Sequence, residues 1–278
     1  MDLSIIIAHY DPGDSLKCIE SFHKTLSKIE SQKGNYKIEV IIADDGSKSH
    51  EDIQHLVPPL LDHDERHFYN LKGTLLENWK KKMGFNYPSI SNWLYLPKNN
   101  PMMSKARIGN AAITTSLSTN LFFLDDDNYF ISDNTIHTII TLLKKYSFVV
   151  GQIQDNNRRF RSYSSNRVQG TTFGIIKNHL IEAGSFGEWT EEISCGIDSD
   201  LWWKLYFYFK KNPTLKACYT SDIQTLDSCS KRWKIHINTF FRNYTLKKIF
   251  KRVHGCNNYR NIIKNPSRNK SKWIINLS

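Results

Sequence analysis

The sequence predicts an α/β fold: a mostly parallel sheet flanked by helices, continued by a basic, helical C-terminal extension. Three observations lead there. Short apolar runs alternate with segments of helical spacing, the pattern of βαβ units whose strands are buried on both faces. Two of those runs end abruptly in carboxylates, IIADDGS at 41–47 and NLFFLDDDNYF at 120–130. Charge is also uneven: the chain carries a net +11, yet no acidic residue follows Asp227, and 13 Lys or Arg lie between Lys231 and Lys272.

The elements follow in order. LSIIIA at 3–8 reads as a buried strand, followed by a Pro12-Gly13 turn, Asp14 as a helix cap, and a helix with Leu16, Ile19, Phe22 and Leu26 on its apolar face. IEVIIADDGS at 38–47 is a second buried strand. A third is expected at Trp93 to Leu96, then a loop and a helix holding Ile108, Ala111, Ala112 and Thr115 on one side. The fourth is the stretch that ends in Asp125, Asp126 and Asp127. Residues 51–92 are less regular and contain Pro58-Pro59, so they read as an insertion. GTTFGIIK at 170–177 is strand-like, and 199–209 is an aromatic-rich helix that Pro213 would end. In an open parallel sheet both acidic strand ends reach the same edge, where ligands of such sheets collect.

Composition narrows the classes. A chain of 278 residues with 40% hydrophobic and 13% aromatic content can bury a substantial core. No uncharged apolar run approaches a membrane span, and MDLSIIIAHYD lacks the basic lead of a signal peptide, so a cytoplasmic protein is expected. Five cysteines without a CxxC pair indicate free thiols rather than a disulfide framework or a zinc site.

Three adjacent aspartates at a strand end repel one another unless solvent or a cation compensates them. Oxygen-rich clusters suit Mg²⁺ or Mn²⁺, which keep open positions for substrate phosphates. The alternative is a solvated turn in which Asp127 or Asn128 caps the next helix.

The order of the parts resembles the family 2 glycosyltransferases of the GT-A fold, of bacterial surface-polysaccharide type. SIIIAHYD stands where that family has a strand ending in a PxYN-like turn, and IIADDGS matches its VDDGS. NNPMMSKARIGNAA matches, imperfectly, a loop entering an ARNxG helix, and FLDDDN matches FLDxDD. GSFGE at 184–188 and GIDSDL at 196–201 match its GGFDE-like turn and GEDxDL helix start. Together these segments span roughly the first 205 residues. Departures are Ala8 for the first-turn proline, Ile108 after Arg107, Ile197 for the glutamate before the helix aspartate, and Lys204 for a following arginine.

The resemblance implies a GT-A catalytic domain over 1–227, with a nucleotide-binding half to about 130 and an acceptor half from 131, and a basic extension over 228–278. It implies donor contacts at Ala8, Tyr10, Asp45, Arg107, Asp125 and Asp126. Tyr10 would stack on the base, Asp45 would accept a hydrogen bond from it, and Arg107 would reach the base or the pyrophosphate. Asp127, with Asp125 or Asp126, would hold Mn²⁺ or Mg²⁺. Asp198 would be the base of an inverting transfer, with Asp200 the runner-up; either aspartate also suits a helix N-cap. The donor is expected to be a nucleotide-sugar, a UDP-sugar first, and the acceptor a glycan or lipid-linked glycan. A nucleotidyltransferase is a rival, although that class opens with a glycine-rich phosphate loop and AHYDPGDS has one glycine.

In the extension, an apolar stripe from Trp233 and Ile237 through Tyr244 to Phe250 and Val253 runs among lysines and arginines. Such a helix over 231–253 either lies on an anionic membrane, peripheral to its cytoplasmic face, or packs on the domain with a solvated basic face. A non-catalytic basic binding module is the remaining rival, but no nucleic-acid-binding signature accompanies the charge, so no nucleic-acid partner is expected.

Overall fold

The computed structural model of the protein describes residues 1–13, 16–98, 102–161, 169–228, 239–256 and 273–277. The expected Asp14 cap, part of the loop before Lys105, and Trp233 and Ile237 lie outside the described residues. The elements are β1 (Leu3–His9), α1 (Leu16–Gln32), β2 (Ile38–Asp44), β3 (Leu60–Leu61), β4 (His67–Lys72), α2 (Gly73–Met83), β5 (Ile90–Tyr95), α3 (Lys105–Thr115), β6 (Asn120–Asp125) and β7 (Asn128–Phe130). They continue with α4 (Thr135–Leu143), β8 (Phe148–Gln154), β9 (Phe173–Ile176), α5 (Lys177–Glu182), α6 (Ile197–Lys211), β10 (Ala217–Asp227), α7 (Thr239–His254) and β11 (Ile274–Asn276).

One sheet runs β11-β10-β8-β9-β6-β1-β2-β5-β4-β3, with β7 paired to β10. Its centre is the expected parallel arrangement: β1 lies between β2 and β6, and β2 continues to β5. β9 departs from it, running antiparallel between β6 and β8. Residues 51–92 are not a detached insertion, because β4 pairs antiparallel with β5 and extends the sheet. β11 pairs in parallel with β10, so part of the C-terminal region returns to the sheet edge.

Alternate side chains of the central strands enter two cores. Ile5, Ile7, Val40, Ile42, Trp93 and Phe122 pack under α1, α2 and α4. Ile6, Ile41, Leu94, Phe123 and Val150 pack with side chains of α3 and α6 on the other face. This two-sided burial is why the strands are continuous apolar runs.

Helix α1 forms as expected, but its buried face is Cys18, Phe22, Thr25, Leu26 and Ile29, while Leu16 and Ile19 are exposed. Thr25 can be buried because its hydroxyl donates to the carbonyls of Ser21 and Asp126 at 3.1 and 3.0 Å. Among the described side chains of α7 the buried ones are Ile249 and Phe250, and Tyr244 and Val253 of the expected stripe are exposed. No helix among the described residues is long and apolar enough to cross a membrane.

Phe122, fully buried on β6 with its ring centroid 5.8 Å from that of Phe130, carries the strand that ends in the acidic turn. Phe122→Ala is expected to lower unfolding free energy by about 3–5 kcal/mol, read from urea-unfolding midpoints; a loss near zero would show that the strand is not anchored through this core.

Candidate active site

The site is built at the carboxyl end of the parallel centre. In register, Ala8 of β1 lies opposite Asp125 of β6, and His9 lies opposite Asp44 of β2. The turns that follow are tied back to β1: Asp126 N–H donates to the Ala8 carbonyl at 3.1 Å and Asp45 N–H to the His9 carbonyl at 3.0 Å. Ala8 is thus the backbone junction between the two acidic turns.

Beside the end of β2 sit Tyr10, Asp45 and Lys98. Asp45 is 3% exposed; its Oδ2 accepts from Ser104 N–H at 2.9 Å and lies 3.3 Å from Lys98 Nζ. Its Oδ1 is buried with no hydrogen-bond partner among the described residues. Burial therefore pushes the carboxyl up to about 7, against the charge of Lys98 and the Ser104 amide. The Lys98 ammonium also sits 4.4 Å from the centre of the Tyr10 ring. Gly46 permits this approach: it has φ +74°, and a Cβ there would fall 2.5 Å from Lys98 Cβ and 2.9 Å from the Leu96 carbonyl.

The three aspartates at the end of β6 have different environments. Asp126 is turned into the protein, with Oδ2 2.6 Å from His9 Nδ1 and accepting from Tyr10 N–H at 3.1 Å. The His9 ring is itself held, stacked 4.1 Å from Phe22. Asp125 and Asp127 remain partly exposed. Asp127 Oδ1 accepts from Asn128 Nδ2 at 2.9 Å, and Asn128 begins β7, so neither residue caps the next helix, whose N-cap is Asn134. Asp125 pairs with Lys105 at the start of α3; burial, reinforced by the charges of Asp126 and Asp227, keeps its carboxyl above the usual range despite that lysine.

Asp198 enters from α6. That helix begins after Gly196, at φ +94°, without a side-chain cap, so neither Asp198 nor Asp200 is the N-cap. A Cβ at Gly170 would lie 2.0 Å from Asp198 Oδ1, so the absence of a side chain there makes room for the carboxylate. Burial raises Asp198 to about 6, opposed by the charge of Lys105 and reinforced by that of Asp125. Asp200 is occupied differently. Fully buried, it accepts from Trp189 Nε1 at 2.9 Å and lies 2.8 Å from His254 Nε2 and 2.7 Å from Lys204 Nζ. These partners hold its carboxyl below the usual range in spite of burial, and they fasten α7 to the head of α6.

The structure therefore places Tyr10, Asp45, Asp125 and Asp127 at the carboxyl edge of the parallel centre, and Lys105 links that edge to Asp198. Arg107 is engaged elsewhere. Its guanidinium is surrounded by Asp62 at 2.5 Å, Asp64 at 2.8 Å, Glu188 at 3.0 Å and Glu191 at 3.3 Å. The sequence reading did not single out Lys98, Lys105, His9 or His254. Only Lys105 carried a local signal, a cation in the first turn of a helix, where the backbone dipole disfavours it.

Asp125 and Asp127 offer a wholly oxygen donor set, which fits a hard divalent cation keeping water or phosphate in its other positions. Among the described residues, two groupings of three, neither of them containing Asp125 or Asp127, hold ligand atoms within 4.8 Å of one another: buried His9, Asp44 and His50, and surface His63, Asp64 and Glu188. In the first, Asp44 already accepts from Trp93 Nε1 at 3.0 Å and Ser47 N–H at 2.8 Å and lies 2.7 Å from His50 Nδ1. Although burial alone would raise it, His50 brings Asp44 down to about 2, which marks it as a structural anchor for the turn before Asp45.

No family model matches the sequence, and no curated protein does. Among solved structures, TarS of S. aureus superposes with a TM-score of 0.50 at 12% identity, covering 96% of this chain and 46% of that one. The chain thus spans about half the length of that protein. TarS 1–349 in complex with UDP-GlcNAc gives 0.51 at 13% identity, over 98% of this chain and 78% of the other. The mannosyltransferase PcManGT from Pyrobaculum calidifontis, in complex with GDP-Man and Mn²⁺, gives 0.55 at 14% identity, over 98% and 69%. The mostly parallel sheet with its flanking helices is the fold of these glycosyltransferase structures.

Proposed function

We propose that the protein is a metal-dependent, inverting glycosyltransferase that moves a sugar from a UDP-sugar to a hydroxyl of a bacterial surface glycan, free or lipid-linked. The observation that carries this reading is the gathering, at the carboxyl edge of the parallel strands, of an orphaned buried acceptor, Asp45 Oδ1, and an oxygen donor pair, Asp125 and Asp127, linked through Lys105 to a carboxylate raised to about 6, Asp198. UDP-GlcNAc and GDP-Man bound to proteins of the same fold support it.

In this reading Asp45 Oδ1 accepts the imide N–H of the base, and Tyr10 lies against the base face. Asp125 and Asp127 hold Mn²⁺ or Mg²⁺, which when bound neutralises the diphosphate leaving group. The acceptor oxygen attacks the anomeric carbon as the bond from that carbon to the diphosphate oxygen breaks, its electron pair leaving with the phosphate. Asp198 takes the hydroxyl proton. A carboxylate with a pKa of about 6 is ionised at neutral pH and basic enough for this task.

The basic helix supports a peripheral membrane location. The inner face of α7 is packed on the domain through Phe250, whose ring lies 6.1 Å from Trp189 and 5.4 Å from Trp203. Lys247, Lys248 and Lys251 point outward with Tyr244 and Val253, an arrangement suited to an anionic lipid surface.

A thermal-shift series with nucleoside diphosphates tests the donor site: UDP should stabilise the protein only with Mn²⁺, and Asp127→Ala should remove that stabilisation. No response to any nucleotide sinks the transferase reading. Asp198→Asn should keep UDP binding and lose roughly 10²–10⁴-fold in turnover, and the wild-type rate should rise as pH passes through about 6, where Asp198 ionises. Normal turnover in the variant would reassign the base.

Asp45→Asn separates recognition from stability. A carboxyl raised to about 7 in the folded state binds more protons than its unfolded counterpart between about pH 4 and 7, so stability is lost as pH rises through that window. The variant lacks this loss, and its melting temperature should gain on wild type between about pH 4 and pH 8. UDP affinity should fall by about tenfold or more; unchanged affinity would remove Asp45 from base recognition. Replacing Lys247, Lys248 and Lys251 with Glu should release the protein from anionic vesicles, and equal binding of both forms would exclude this face.

A further inference from the structure

Lys105 breaks the local rule of its own element. It opens α3, where unpaired backbone N–H groups already leave positive partial charge, and the first turn contains no acidic residue. Nothing in the helix rewards a cation at that position. Its compensation comes from across the cleft: the ammonium contacts Asp125 and feels the charges of Asp198 and Asp127. A fixed positive charge thus stands against the carboxylates assigned above to the metal and to the base.

We infer that Lys105 is a resident counter-ion that competes with the divalent cation for Asp125 and, once displaced, binds the donor's diphosphate. The inference rests on the reading of the cleft as a nucleotide-sugar site. A metal ion on Asp125 and an ammonium on its Oδ1 repel each other, so each weakens the other's hold on that carboxylate. The lysine side chain is a compact charge on a flexible four-carbon stem, so it can release Asp125 without moving α3. Its first residue is fixed, since the neighbouring Ser104 N–H is held by Asp45 at 2.9 Å. The displaced ammonium therefore stays in the cleft, beside the base-recognition group and within reach of a diphosphate, the anion that arrives with the metal. Without metal, the same ammonium prevents Asp125, Asp127 and Asp198 from repelling one another.

The competition is read directly by titrating Mn²⁺ into the full chain and following free Mn²⁺ by electron paramagnetic resonance, without nucleotide. Lys105→Met should bind Mn²⁺ at least about tenfold more tightly than wild type, a gain of about 1.4 kcal/mol, and Lys105→Arg should stay close to wild type. At saturating Mn²⁺, the UDP affinity of Lys105→Met should fall about fivefold or more by calorimetry, with Lys105→Arg retaining most of it. Circular dichroism checks folding, and Lys105→Gln replaces the Met variant if that one does not fold. Equal or weaker Mn²⁺ binding by the neutral variant overturns the competition, as does the absence of Mn²⁺ binding by every form while UDP still binds. Loss of both Mn²⁺ and UDP binding from wild type overturns the donor-site reading itself.

Discussion

The cleft depends on the parallel pairing of β1 with both β2 and β6. That pairing places Ala8 opposite Asp125 and His9 opposite Asp44, so two acidic turns leave the sheet side by side. Like charges gathered in this way are tolerated only when each has its own compensation. The protein supplies different compensation to each: His50 for Asp44, Lys98 and Ser104 for Asp45, Lys105 for Asp125, and His9 for Asp126. Burial keeps Asp45 and Asp125 high against their partners, whereas at Asp44 the hydrogen bond and charge of His50 prevail over burial. Sequence spacing alone would not separate them.

The centre of the fold was legible because buried parallel strands leave a plain trace, apolar runs cut off by aspartates. The side of α1 that is buried was harder to read, since Thr25 enters the core by donating hydrogen bonds and small Cys18 fills space that Leu16 does not. β9 was readable as a strand, but its antiparallel place between β6 and β8 is decided by long-range pairing. Residues 51–92 looked irregular because β3 and β4 lie toward the sheet edge, where few positions are fully buried.

The candidate site was legible in its acids and much less so in its bases. A carboxylate at a strand end announces itself by contrast with the apolar residues before it, and Asp45, Asp125 and Asp127 do so. The partners of those acids come from loops and helix starts distant in sequence: Lys98, Lys105 and His254 carry no periodicity that points to them. Arg107, for which the resemblance implied a contact to the base or the pyrophosphate, has its guanidinium surrounded by Asp62, Asp64, Glu188 and Glu191, partners drawn from segments distant in sequence. Two aspartates separated by one residue have different surroundings, Asp198 packed against Gly170 and Asp200 joining α6 to α7 through His254.

The Asp200 and His254 contact makes the last described helix part of the foundation under α6. A chain trimmed before His254 would expose a cavity lined by Trp189 and Trp203 and leave a buried anion short of a partner, directly beneath the turn that presents Asp198. The late, lysine-rich part of the polypeptide is consequently not an accessory that evolution or an engineer can exchange freely. The imidazole and the phenyl ring beside it are tied to the head of α6.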